Sequence, residues 1–106
     1  MIIREYKNGN ITIKLENENT NNFESLVCDI ANNIDMIDTY LISDYPYCLG
    51  NDCVAVDFYN IRLDKIYTVN SYQIDKYLKA GNVLRMQANT PSEWDRENID
   101  NYMGEV

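Results

Sequence analysis

Histidine is absent from the 106 residues. That removes the commonest general base and metal ligand, and with it every Ser-His-Asp or Cys-His arrangement. Glycine and proline are scarce, at four and two residues. The glycines stand at expected turns and element ends, so there is no phosphate-cradling glycine loop and no dinucleotide fingerprint, and G-x-S-x-G does not occur. No apolar run approaches the ~18 residues that a membrane-spanning helix needs. Met1-Ile2-Ile3-Arg4 opens no signal-peptide pattern, so a cytoplasmic location is the expectation. Three cysteines, an odd number, read as reduced thiols rather than as a disulfide framework.

One further absence is regional. Residues 15–61 contain neither Lys nor Arg, yet they hold Glu16, Glu18, Glu24, Asp29, Asp35, Asp38, Asp44, Asp52 and Asp57. The flanks differ in sign: residues 1–14 carry +2, residues 62–85 carry +3, and the tail from Met86 carries −4. Random placement of the basic residues leaves such a gap in roughly one arrangement in twenty, so the patterning is a lead rather than a proof.

What is present fits an ordinary folded domain. The chain has the length of one domain (residues 1–106), and its apolar share of 45% and charged share of 25% are those of a globular protein. A net charge of −8 opposes binding to nucleic acid or to an anionic membrane, and favours solubility or a basic protein partner. Asn, Ile and Tyr are abundant, as AT-rich codons of a low-GC bacterium or its phages and plasmids would give.

Patterning predicts an α+β fold of order ββαβββαβα with a mainly antiparallel sheet and about three helices. Residues 2–7 and 10–16 form a hairpin about Asn8-Gly9, in which Tyr6 faces Ile11, Arg4 faces Ile13 and Ile2 faces Leu15. A helix follows, with Asn21 and Glu24 at capping-box spacing and Phe23, Leu26, Val27, Ile30, Ala31 and Ile34 as its buried stripe. Cys28 is expected to pack at the stripe's edge, and Asp35 and Asp38 argue for an early helix end. Strands are expected over residues 37–43, 53–59, 66–69 and 83–88. If Gly50-Asn51 is a two-residue turn, Cys48 and Cys53 oppose each other across a hairpin. The second helix is signposted by Asn70 and Gln73 as a capping box, by Ile74, Tyr77 and Leu78 as its apolar face, and by Gly81 as its end. The third, over about 91–102, starts at Thr90-Pro91-Ser92-Glu93, bears Glu93, Asp95, Glu97 and Asp100, and can dock through Trp94, Ile99, Tyr102 and Met103.

Chemistry-bearing patterns are few. Cys48-x4-Cys53 offers two thiolates, but zinc needs four ligands and Cys28 lies on a helix. Glu16-Asn17-Glu18-Asn19 lacks the glycine and terminal glutamate of a calcium loop. Asp38 and Asp57, on neighbouring strands, are a pair that acid–base chemistry could use only if burial separated their pKa values. The expectation is therefore a protein that is not an enzyme and holds no metal or cofactor.

Binding is the better-supported class. Carboxylates interleave with tyrosines at Asp38, Tyr40, Asp44, Tyr45, Tyr47, Asp57 and Tyr59, and these seven residues are the candidate partner-binding set. Tyrosine supplies rigid amphipathic contact area, while carboxylates supply charge-assisted contacts to Arg and Lys and long-range steering. Such a face suits the groove of a basic nuclease or DNA-binding protein. The plainer alternative is that the tyrosines fill the core and the acids only maintain solubility. No family motif is present, but the general profile is similar in kind to phage- and plasmid-borne inhibitors: anti-CRISPR and anti-restriction proteins, and immunity proteins against nuclease toxins. That likeness carries over no site residues. The expected function is an acidic inhibitor of a nucleic-acid-handling protein by nucleic-acid mimicry. The alternative is a structural or interaction protein, a homodimer through a sheet edge.

Overall fold

The computed structural model describes residues 3–7, 9–15, 22–34, 38–42 and 47–104, of which the side chains of residues 3–7, Asn33, Tyr47, Leu49 and Gly104 lie outside the description. Among these residues the chain is α+β: β1 (Ile3–Lys7), β2 (Asn10–Lys14), α1 (Phe23–Asn33), β3 (Thr39–Leu41), β4 (Tyr47–Gly50), β5 (Cys53–Asn60), β6 (Lys65–Asn70), α2 (Gln73–Lys79), β7 (Val83–Met86) and α3 (Glu93–Gly104). The expected order is present, with the short β4 as an addition between β3 and β5. All pairings are antiparallel and fall into two sheets.

The first sheet runs β1-β2-β7. Its hairpin has the predicted register, Arg4 opposite Ile13 and Tyr6 opposite Ile11, and Gly9 takes the left-handed φ of +82° that the tight turn requires. Ile2 and Asn8 lie outside the described residues. Alternation then buries Ile11, Ile13 and Leu15 and leaves Lys14 exposed.

The second sheet is built around β5. Along one edge β5 pairs with β6; along the other it pairs first with β4 and then with β3, since Ala55 sits opposite both Tyr47 and Asn70, and Tyr59 opposite both Tyr40 and Ile66. The β4–β5 hairpin turns at Asn51-Asp52, both left-handed, with a bulge between Cys48 and Gly50. That corrects the Gly50-Asn51 turn. Cys48 is opposite Val54 rather than Cys53, and the thiols are free, with Cys48 exposed and Cys53 buried.

Helix ends follow side-chain chemistry, sometimes one or two residues from where the pattern places them. The N-cap of α1 is Asn22, whose Oδ1 accepts from Ser25 N–H at 2.8 Å; the predicted Asn21 is outside the described residues. Leu26 and Ile30 are fully buried and Phe23, Val27 and Ile34 pack beside them, but Ala31 and Cys28 are exposed, so the stripe is narrower than predicted. Before α2, Gln73 Oε1 accepts from Asn70 N–H while Asn70 Oδ1 accepts from Tyr72 N–H, so the predicted Asn70–Gln73 box is bonded in one direction only, and the N-cap itself is Tyr72, with no side-chain capping bond. Its end is a Schellman motif: Asn82 N–H donates to Tyr77 C=O and Gly81 N–H to Leu78 C=O. Tyr77 is buried, whereas Leu78 is exposed. α3 is capped by Ser92 and Asp95, each side chain accepting from the other's N–H, and not by Thr90.

Helices cover both faces of the second sheet. On one side Val56, Phe58, Tyr67 and Val69 join Leu26 and Ile30 of α1, Tyr77 of α2 and the inner face of the first sheet in one core. On the other side Ile42, Tyr59, Ile66 and Ile99 form a smaller cluster, against which Tyr102 and Met103 of α3 pack. The two sheets are tied by Ile66 and Asn89, which exchange both backbone hydrogen bonds, and by the Tyr67 hydroxyl, which donates to Gly9 C=O.

The stripe assignment has a direct test. Ile30→Ala is expected to lower stability in urea by about 2–5 kcal/mol, while Ala31→Ser on the exposed side changes it by no more than about 0.5 kcal/mol. Equal effects at the two positions would contradict the packing of α1.

Candidate functional site

Strand alternation puts Asp57 and Tyr59 on the face of β5 opposite to Val56 and Phe58. The pattern of β5 does not show that this face is covered, because the helix expected to dock lies more than 30 residues downstream and its docking site is not marked. α3 covers it with Ile99, Tyr102 and Met103, at the smaller cluster. Tyr59 lies in that cluster; Asp57 and Tyr59 are both buried, at 2% and 7% exposure, and are corrected from partner-facing to internal residues. Asp57 Oδ1 accepts from Thr68 Oγ1 at 2.6 Å, a bond across the β5–β6 register that offsets part of the desolvation of the carboxyl.

Tyr59 reaches outward through its hydroxyl, which donates to Asp64 Oδ1 at 2.8 Å. Asp64 in turn receives both terminal nitrogens of Arg96, at 2.6 and 2.8 Å, so the turn after β5 is clamped to α3 by a two-point guanidinium–carboxylate contact. Burial pushes the Tyr59 hydroxyl up, and Asp64 adds to the shift while Arg96 opposes it. The Arg96 bonds, followed by that of Tyr59, hold Asp64 at about 2, against an ordinary value of 3.8. Sequence reasoning missed this trio, although Arg96 is the single cation in the tail from Met86 and sits among acids. A lone cation in that setting has many possible partners.

The surface part of the candidate set is smaller. Asp38 is exposed in a left-handed turn, with its C=O accepting from Ile61 N–H. Ile42 N–H bonds to Asp57 C=O, so Asp38 and Asp57 stand at different heights along β5 and are not opposed. Tyr40, directly opposite Tyr59, is 39% exposed and stands 6.1 Å from Tyr102, ring centre to ring centre, tilted by 42°. Buried Asn60 fixes this strand end by donating to Thr39 Oγ1 and accepting from Leu63 N–H. Asp44 and Tyr45 lie outside the described residues, as does the side chain of Tyr47, although its backbone pairs with Ala55.

On its outward side, away from Tyr102, α3 shows solvent a row of acids. Glu93, Glu97 and Asp100 are exposed, Trp94 is half-exposed, and Arg96, the helix's one cation, turns to Asp64. Over seven helical residues these three acids span about 10.5 Å, at intervals of about 6.0 and 4.5 Å, wider than the roughly 3.4 Å rise per phosphate of one nucleic-acid strand. Among the described residues there is no group of three or more metal-ligating side chains, and no helix is long and apolar enough to cross a membrane. Compared with protein-family models, curated proteins and solved structures, the chain matches none.

Two measurements follow. Thr68→Val removes one donor to the buried Asp57 carboxyl and is expected to cost about 1–3 kcal/mol, with Thr68→Ser costing clearly less; a small loss in Thr68→Val beside a larger one in Thr68→Ser would mean the methyl group, not the hydroxyl, matters. The Asp64 carboxyl carbon should titrate near about 2 by NMR and move up toward 3.8 in Arg96→Gln. Because the folded value lies below the ordinary one, this contribution to stability is complete above pH 3.8 and is lost as pH falls through about 2.

Proposed function

We propose that the chain is a non-enzymatic acidic binding protein of the phage or mobile-element inhibitor type, engaging a basic nucleic-acid-handling protein in the cytoplasm. The observation behind this reading is the outward face of α3, where Glu93, Glu97 and Asp100 are exposed and the helix's one cation is committed to Asp64. Asp38 and Tyr40 are also exposed, Tyr40 meeting α3 at Tyr102 on the docked side of that helix. Asp44, Tyr45 and Tyr47 remain members of the proposed surface by their place in the chain, between Tyr40 and β5.

The mechanism is competition. Exposed carboxylates occupy the lysines and arginines of a groove that otherwise takes phosphates, and the exposed tyrosine and tryptophan rings add apolar contact area at little conformational cost. Net charge −8 accelerates encounter with a basic surface and makes the association salt-dependent. An anti-CRISPR, anti-restriction or immunity role each meets this description.

Affinity capture from a low-GC bacterial lysate at low salt should retain a basic nuclease or DNA-binding protein that elutes as salt rises. The combined variant Asp38→Asn, Glu93→Gln, Glu97→Gln and Asp100→Asn should then bind that protein on the order of ten- to a hundredfold more weakly, from four exposed pairs of about 0.2–1 kcal/mol each. Undiminished binding by this variant, or a salt-independent affinity, counts against the proposal. A dimer seen by light scattering with no partner present favours the structural alternative.

A further inference from the structure

The sign of the charge reverses around β7. Lys76 on α2 and Arg85 on β7 are exposed, and Lys14, opposite Val83 on β2, is exposed on the same outer sheet face as Arg85. Between α2 and β7 lies a groove of about 510 Å³, lined by Gln73, Lys76 and Tyr77 on one side and by Val83, Leu84 and Arg85 on the other. That volume is within the usual range of ligand sites.

The groove also contains an open strand edge. Leu15 N–H donates to Asn82 C=O at 3.0 Å, which sets the phase of the β2–β7 ladder: Leu84 and Met86 bond to β2, and Val83 and Arg85 turn their N–H and C=O groups away from it. Asn89, in step with them, bonds both ways to Ile66 of β6. Beyond that bridge β6 and β7 are no longer paired, and on the β6 side the Asn70 N–H is already taken by Gln73. Among the described residues, no backbone partner meets the outward groups of Val83 and Arg85.

We infer that this edge binds a short, extended, acidic peptide segment of a partner protein by strand addition. The peptide backbone pairs with Val83 and Arg85, and carboxylates at alternate positions reach Arg85 and Lys14 on the sheet face and Lys76 on the helix. Two features select this occupant. The groove lining includes Lys76 and Arg85 and no carboxylate, so the local field favours carboxylates over a basic or neutral segment. The edge offers alternating donors and acceptors, which a peptide backbone satisfies in full and a phosphate chain, having acceptors only, does not.

The test uses the full chain, labelled with nitrogen-15, and an N-acetylated, C-amidated pentapeptide of alternating glutamate and valine. Binding should perturb the amides of Val83 and Arg85 most and slow their hydrogen exchange. The glutamine counterpart, and the variants Lys76→Glu and Arg85→Glu, should each weaken it by about tenfold. Both substitutions are at exposed positions, and unchanged thermal melting verifies the fold. Val83→Pro removes an outward N–H without touching a bond to β2, and should abolish the protection at Arg85. Absence of binding overturns the inference, as does equal binding of the glutamine peptide or perturbation without protection of Val83 and Arg85. Tighter occupation of the same residues by a single-stranded oligonucleotide, or a dimer of this chain that protects them with no peptide present, overturns it as well.

Discussion

β5 is covered on both faces and along both edges, and the rest of the fold is arranged around that constraint. Its residues from Ala55 to Asn60 are buried without a break, which a strand in a one-sided sheet does not permit. One face is met by the common core of both sheets and α1, the other by α3. Full enclosure demands partners for the polar groups it contains: Thr68 serves Asp57, and Thr39 and the Leu63 amide serve Asn60. The clamp of Arg96 on Asp64 closes the second layer by tying the turn that leaves β5 to the helix that covers it.

Features carried by short-range chemistry were legible in the sequence. The register of the first hairpin follows from a turn and an alternation within 15 residues, and Asn70, Gln73 and Gly81 mark the limits of α2 through bonds between near neighbours. Features that depend on which distant element packs where were not. Asp57 and Tyr59 alternate with Val56 and Phe58 in a way that reads as solvated-out and apolar-in, and the reading fails because α3 supplies a second interior. Cys48 and Cys53 miss each other because the left-handed pair is Asn51-Asp52, one residue later than the glycine that drew attention. Of the candidate acids with described side chains, Asp38 is exposed and Asp57 is buried, and the exposed acids Glu93, Glu97 and Asp100 of α3 stand outside the candidate set.

Charge in this molecule is separated by element. α3 carries four acids and one cation, that one internally spent, whereas β7, α2 and the end of β2 carry exposed cations around an open edge. A net value of −8 hides this division, and long-range attraction is governed by the local field as much as by the sum.

The left-handed turns give part of the acidity a second meaning. Among the described residues other than glycine, positive φ occurs at Asp38, Asn51, Asp52, Asp64 and Asn82, all of them Asp or Asn. These are the side chains that tolerate that region best after glycine, and a chain with four glycines has relied on them. Three of its carboxylates are thus anchored to backbone geometry, and exchanging them for Lys or Glu carries a conformational penalty of roughly 1 kcal/mol apart from any change in charge. Drift of the surface toward neutrality is slowed at those positions by the shape of the main chain.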